Sequence, residues 1–336
     1  MVSLLKNKLK FVYHEIHDES LVYAVFEVLN SRGLPVPWFD RLKSAFMGIV
    51  FKTSGGNSEE FIDEVHNIWT HMYDILGKRI GLNAESLRFA ATLASEECPS
   101  KLLSEESAVD FFKQHCMNNS ALVIKDSKWI KSVAEAVDKL ISDNRMNTVT
   151  KIVQARIVAT SILLRSDLSP AETSALLRRW ENVTFRIYGM FRKDARTSVG
   201  DYVRLAWSIE KEKLSLEKIL EGLEQIGKEY PIAKAVQGLR EKNCYTNWEE
   251  EVRYFFCRYE EYLAKERGQV FNNEEWNRIW ERSASNSIEH IYPQSRDHAD
   301  WIHWLGNLMV IPPSLNSSLK DKMPKKRLRN TCVQAY

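Results

Sequence analysis

A chain of 336 residues that is 44% hydrophobic and 27% charged, with a formal net charge of +2, has the apolar material for a sizeable core and a length that favours two domains or so. It contains no run of about 18 apolar residues, which excludes a membrane-spanning helix, and its start, MVSLLKNKLKF, is too short and too charged for a signal peptide. A folded, cytoplasmic protein is expected, and the small net charge identifies no partner.

In chain order, residues 11–17 (FVYHEIH) alternate as a strand does, and 20–30 carry apolar residues at helical spacing, closed by Gly33 as a C-cap. Pro35 and Pro37 force a break before a helix over 38–51, and SGGNS at 54–58 is the most linker-like stretch. The segments 59–76, 84–94, 107–116, 129–141, 150–164, 171–191 and 199–214 then repeat apolar residues with helical periodicity behind acidic, Ser, Thr or Asp starts. They predict a mainly α protein, a multi-helix bundle of seven or more helices with its aromatic residues in the core. No fixed period suggests a solenoid. A further long helix over 247–268 ends at Gly268, and from about residue 269 short β-branched and aromatic runs, prolines, His and Asn replace the helical pattern. The five cysteines, Cys98, Cys116, Cys244, Cys257 and Cys332, are scattered and never spaced as C-x-x-C. That argues against a disulfide framework and a thiolate zinc site, and for reduced, mostly buried thiols.

The chemistry concentrates in the last section. SIEHIYP (287–293) reads as a strand that turns at Pro293, NLMVIP (307–312) as a returning strand, and SLNSSLKDK (314–322) as a helix that presents Asn316. His290, Asn307 and Asn316 supply the three letters of an HNH site, in strand, strand, helix order. Phosphodiester hydrolysis needs an activated water, and an imidazole with a pKa near ~6.5 can accept its proton near neutral pH; His290 is the candidate base. The departing 3′ oxygen and the phosphate charge call for a cation, most simply Mg²⁺ (or Mn²⁺), held by one or two protein oxygens. Glu289 and the Asn316 carbonyl are the candidate ligands. Adjacent strand residues face opposite ways, so Glu289 and His290 share a site only where the strand twists or ends. Asn307 is assigned cross-hairpin hydrogen bonds that fix the loop carrying His290. From Lys320 to Arg329, KDKMPKKRLR holds six basic residues and one acid. Lys320, Lys325, Lys326 and Arg327 are candidates for DNA backbone contacts, which give affinity without sequence preference.

The strings E-H-I-Y-P-Q-S, G-N-L-M-V and L-N-S-S-L-K resemble the His-Me finger (ββα-metal, HNH) nucleases, most closely the DUF1524 nuclease domain of GmrSD-type modification-dependent restriction enzymes. The lead-in segments WENVTFRIYGMF and VRYFFCRYEEYL are similar too. FEVLNSRGLPVPWFDRLKSAF resembles the closing segment of the accompanying DUF262 domain. The resemblance implies a C-terminal part of a DUF262-like domain over 1–55, a helical domain over 56–245 and a DUF1524-like HNH nuclease domain over 246–336. It implies a metal-dependent DNA endonuclease in phage defence, acting on modified DNA. The DUF262 nucleotide motif, Asp-Gly-Gln-Gln-Arg, would precede the F-E-x-L-N string and is absent here. Nucleotide hydrolysis by this chain alone is therefore not expected: either the sequence is a piece of a longer protein, or a separate chain supplies that half.

Several readings stay open. The hairpin could be catalytically inactive, in a helical DNA-binding or regulatory subunit of a defence complex, or the same site could cut RNA. His298, His303 and Asp300 could form a second metal group with His290, although a loop position for His298 and His303, facing solvent or DNA, is favoured. Asn30, Arg32 and Gly33 could border a nucleotide pocket, with a helix end as the favoured reading. A homo-oligomer is left open, because a double-strand break from a one-metal site needs two copies or strand re-entry.

Overall fold

The computed structural model describes residues 36–53, 58–77, 79–143, 146, 152–240, 242–271, 273–280, 283, 286–296, 299–313 and 316. The elements expected over 11–17 and 20–30, with Asn30, Arg32 and Gly33, lie outside these residues, as do His298, Lys320, Lys325, Lys326 and Arg327. The chain divides into two compact units, one of residues 1–91 and 103–135, the other of 92–102 and 136–336. Among the described residues no helix is long and apolar enough to cross a membrane.

The first unit contains α1 (Trp38–Thr53), α2 (Ser58–Leu76), most of α3 (Ile80–Ala94), α4 (Glu105–His115) and the first part of α5 (Ser120–Ser142). Phe39, Leu42, Phe46 and Val50 recur at three- and four-residue intervals along α1, which places them in one buried stripe. Phe39 packs on Trp69 with ring centroids 4.5 Å apart, and Phe46 meets Phe112 edge-on at 6.4 Å. Buried indoles need a partner for their N–H. Trp69 donates to Ser127 Oγ at 3.3 Å and Trp129 to the Ala90 carbonyl at 3.0 Å.

In the second unit, α6 (Val153–Leu164) is buried at every position from Ala155 to Ile162 and is the central helix. It is flanked by α7 (Pro170–Thr184) and α8 (Val199–Lys211). Ser169 and Glu172 close a capping box at the start of α7 with Pro170 in its first turn. The single helix expected over 171–191 is α-helical only to Thr184. Phe185–Met190 then winds as a π-turn, with the Phe191 N–H reaching back to the Arg186 carbonyl at 3.0 Å. Next come α9 (Leu216–Gly227), α10 (Ile232–Gln237), α11 (Cys244–Asn247) and α12 (Glu249–Glu266). Gly268 follows α12 at φ +65, a left-handed backbone that glycine adopts without penalty. The expectation that helix gives out from residue 269 needs correction, since Asn273–Trp280 forms α13.

The two short strands expected in the last section are present. β1 (Ile288–His290) runs antiparallel to β2 (Leu308–Val310), pairing Ile288 with Val310, Glu289 with Met309 and His290 with Leu308. Three 3₁₀ turns, Gln294–Arg296, Asp300–His303 and Leu305–Asn307, fill the loop between them. Of the helix expected over 314–322, the backbone at Asn316 is helical and donates to the Pro312 carbonyl at 3.0 Å, and the remainder lies outside the described residues.

A strand pair this short cannot stand alone in water. Ile288 and Leu308 pack into a buried cluster with Leu239, Cys244, Trp248 and Val252, against which Phe185, Met190 and Tyr245 also lie. The Trp248 indole donates to the Gly189 carbonyl at 2.8 Å, tying the cluster to the π-turn. Next to it, the buried Glu181 of α7 accepts from the Tyr254 hydroxyl at 2.5 Å and from Arg258 Nε at 2.6 Å, both on α12. Burial works against the Arg258 charge, but the Glu181 carboxylate outweighs it and holds the guanidinium pKa above its ordinary value. Of the described cysteines, Cys98 is exposed and Cys116, Cys244 and Cys257 are buried, all as free thiols.

Removing the Trp248 side chain should therefore cost about 3–5 kcal/mol of unfolding free energy. Trp248→Phe, which leaves the buried Gly189 carbonyl without its donor, should cost about 1–3 kcal/mol. Urea denaturation followed by circular dichroism measures both, and an Ala variant as stable as wild type would refute the role given to this cluster.

Candidate active site in the C-terminal hairpin

His290 is the last residue of β1. Strand alternation puts its ring on the same face as Ile288, and both are buried, with His290 only 3% exposed. The imidazole packs against the Tyr245 ring of α11 with centroids 4.3 Å apart, and its Nε2 lies 3.2 Å from Nδ1 of His303. His303 in turn stacks on Tyr245 at 5.5 Å with the rings 15° from parallel. Tyr245, His290 and His303 thus form one three-ring cluster. At that separation one proton serves the two facing nitrogens, so neutral imidazoles of complementary tautomers satisfy the contact and a doubly protonated pair does not. Burial, and after it the charges of Glu289 and Glu249, raises the Tyr245 pKa and keeps its hydroxyl protonated.

The position of His303 corrects the expectation that it faces solvent or DNA. The turn Asp300–His303 folds back because Asn307 holds it. The Asn307 carboxamide donates to the Ile302 carbonyl at 2.8 Å and to the Tyr292 carbonyl at 3.2 Å, and it accepts from the Tyr292 N–H at 2.8 Å. The Asn307 carbonyl also accepts from the Ile291 N–H at 2.8 Å. A single buried side chain at the entry of β2 therefore joins the exit of β1 to the turn that carries His303. Asp300, at the start of that turn, is exposed.

Glu289 projects from the half-exposed face of β1, and Oε1 accepts from the His290 backbone N–H at 3.1 Å. The strand ends at His290, the condition under which the two side chains can approach a common space. Asn316 donates Nδ2 to the Asn286 carbonyl at 3.0 Å. That carbonyl precedes β1, so Asn316 is tethered at the start of the strand while the His290 ring stands at its end, up to about 14 Å further along an extended chain. With Nδ2 engaged, any cation contact falls to Oδ1. A carboxylate and a carboxamide oxygen are the hard donors that Mg²⁺ and Mn²⁺ accept, so by chemistry the residues fit such an ion.

Asn307→Ala should loosen the segment 291–303 without unfolding the chain. Hydrogen–deuterium exchange of the Tyr292 amide should become at least about tenfold faster, the effect of losing one bond worth ~1.4 kcal/mol. Unchanged protection at Tyr292 would contradict the clamp.

No curated protein and no solved structure matches the chain. Residues 233–331, which hold the three-ring cluster, both strands and Asn316, match the family model described as GmrSD restriction endonucleases, C-terminal domain, so this segment of the chain is of GmrSD type.

Proposed function

We propose that the chain is an HNH-type endonuclease that hydrolyses DNA phosphodiester bonds with one divalent ion, Mg²⁺ or Mn²⁺, in defence against phage with modified DNA. The observation that carries this reading is that the segment matching a restriction-endonuclease family contains a hairpin ending at a histidine whose loop is closed by an asparagine clamp. In this reading the imidazole of His290, in contact with His303 through Nε2, is the base that takes a proton from the attacking water. His303 and Tyr245 fix the ring and its tautomer, and Asn307 fixes the loop that holds them. Glu289 and Asn316 would hold the ion, which when bound supplies positive charge against the phosphate and the departing 3′ oxygen. Lys320, Lys325, Lys326 and Arg327 neutralise backbone phosphates of the duplex. In this reading residues 1–55 close a DUF262-like domain. A second copy of the chain serves the second strand.

One observation favours a second reading, a catalytically inactive DNA-binding or regulatory subunit: His290 is covered by Tyr245 and His303, so DNA would have to part these rings before water reaches it.

Supercoiled plasmid with Mg²⁺ or Mn²⁺ separates the two. The wild-type chain should nick it, and His290→Ala should be slower by about 10²–10⁴-fold, the usual worth of a positioned base, while binding DNA equally well. Equal conversion by both chains would sink the nuclease reading. Each Lys→Gln change at Lys320, Lys325 or Lys326 should lower the slope of log K against log salt by roughly 0.9. Digestion of plain and modified phage genomes tests target choice.

A further inference from the structure

We infer that the first compact unit contains a binding site for a borderline divalent cation of the zinc class, built from His115, Cys116 and Asp126. Among the described residues this is a group whose ligand atoms, one from each side chain, all lie within 4.8 Å of one another. His115 Nδ1 is 2.7 Å and Cys116 Sγ 3.1 Å from the same carboxylate oxygen, Asp126 Oδ2. Two donors aimed at one oxygen leave their protons where a cation would otherwise sit.

The local fold explains the convergence. His115 is the last residue of α4 and Cys116 its C-cap, and residues 116–119 reverse the chain through Asn118 at φ +60. The next helix, α5, then brings Asp126 across from its second turn. The ring of Phe111, one turn before His115 on α4, stacks on the His115 ring at 6.1 Å and 2° and fixes its plane. Cys116 and Asp126 are buried, whereas the His115 side chain is 44% exposed. Three protein ligands, one of them at the surface, leave a fourth position for water.

The donor set selects the ion. Thiolate, imidazole and carboxylate together suit Zn²⁺ and its spectroscopic substitute Co²⁺, and the thiolate disfavours Mg²⁺ and Ca²⁺. Metal–ligand bonds of about 2.0–2.3 Å in a tetrahedron set ligand atoms roughly 3.3–3.8 Å apart, so the present contacts need to open by about half an ångström. Binding breaks the S–H bond, releases its proton to solvent and forms a metal–sulfur bond. The imidazole moves its proton to Nε2, and the carboxylate exchanges two accepted hydrogen bonds for one metal–oxygen bond. No oxidant or reductant is required. The ion would clip the end of α4 to α5.

The full chain, freed of metal with a chelator, should be titrated with Co²⁺ and followed by absorbance. One equivalent should produce visible d–d bands of a tetrahedral site and a near-ultraviolet thiolate-to-cobalt charge-transfer band, both bleached by Zn²⁺. Cys116→Ser should abolish the charge-transfer band. His115→Ala, at a half-exposed side chain, should weaken Co²⁺ binding by more than about tenfold, the loss typical even of an outer-sphere partner. Cys98→Ser should change neither, and circular dichroism of each variant confirms folding. Absence of the charge-transfer band from wild type would overturn the site, as would a band that survives both Cys116→Ser and His115→Ala.

Discussion

The constraint on which the C-terminal region depends is that three residues per strand are too few to hold a hairpin. Backbone bonds between Ile288–His290 and Leu308–Val310 compete with water on even terms, and nothing in so short a ladder fixes its position. What fixes it is the apolar face, Ile288 and Leu308, seated on Cys244, Trp248 and Val252. Because Trp248 caps the start of α12 and its indole is held by the carbonyl of Gly189, the hairpin inherits the rigidity of the helices beneath it. The same helical floor carries Tyr245, the ring against which both histidines rest.

That floor is joined to the rest of its unit by charge as well as by packing. Glu181 on α7 is buried and would be costly there without partners. The Tyr254 hydroxyl and the Arg258 guanidinium supply them from the neighbouring helix. The pair sets how α12 sits against α7, and the π-turn that follows α7 is where the chain makes room for Trp248. A widened turn exposes carbonyls that a regular α-helix would keep for itself, and the one at Gly189 receives the indole.

Much of this was legible in the sequence. The long helices announce themselves because apolar residues at three- and four-residue intervals have no other reason to recur, as Phe39, Leu42, Phe46 and Val50 illustrate. The two strands were legible from β-branched and aromatic runs next to proline. α13 was not, because eight residues offer barely two turns of periodicity, and Asn273 and Asn277 obscure it. The π-turn was not, since one widened turn leaves the apolar periodicity of 171–191 nearly unchanged. Spacing alone places His303 in the loop between the strands, facing solvent or DNA. Its place beside His290 follows from the Asn307 carboxamide, and sequence spacing alone does not say to which carbonyls a side chain will donate. The cluster of His115, Cys116 and Asp126 shows the same limit: two of its members are adjacent in sequence, but the third arrives only when α5 folds back across the end of α4. Thiols scattered along the chain carry no spacing signature, although His next to Cys at a helix end was a signal available to be read.

The clamp at Asn307 separates two quantities that hairpins usually couple. In most hairpins the length of the connecting loop dictates which residues face each other, so that inserting or deleting one residue exchanges the two faces of a strand. Here the pairing is set at the base, by bonds between Asn307 and Tyr292 that lie next to the ladder itself. The 3₁₀ turn Gln294–Arg296 stands outside that closure. A residue inserted or deleted there therefore leaves the parity of β1 unchanged: His290 keeps its face and Glu289 keeps the other.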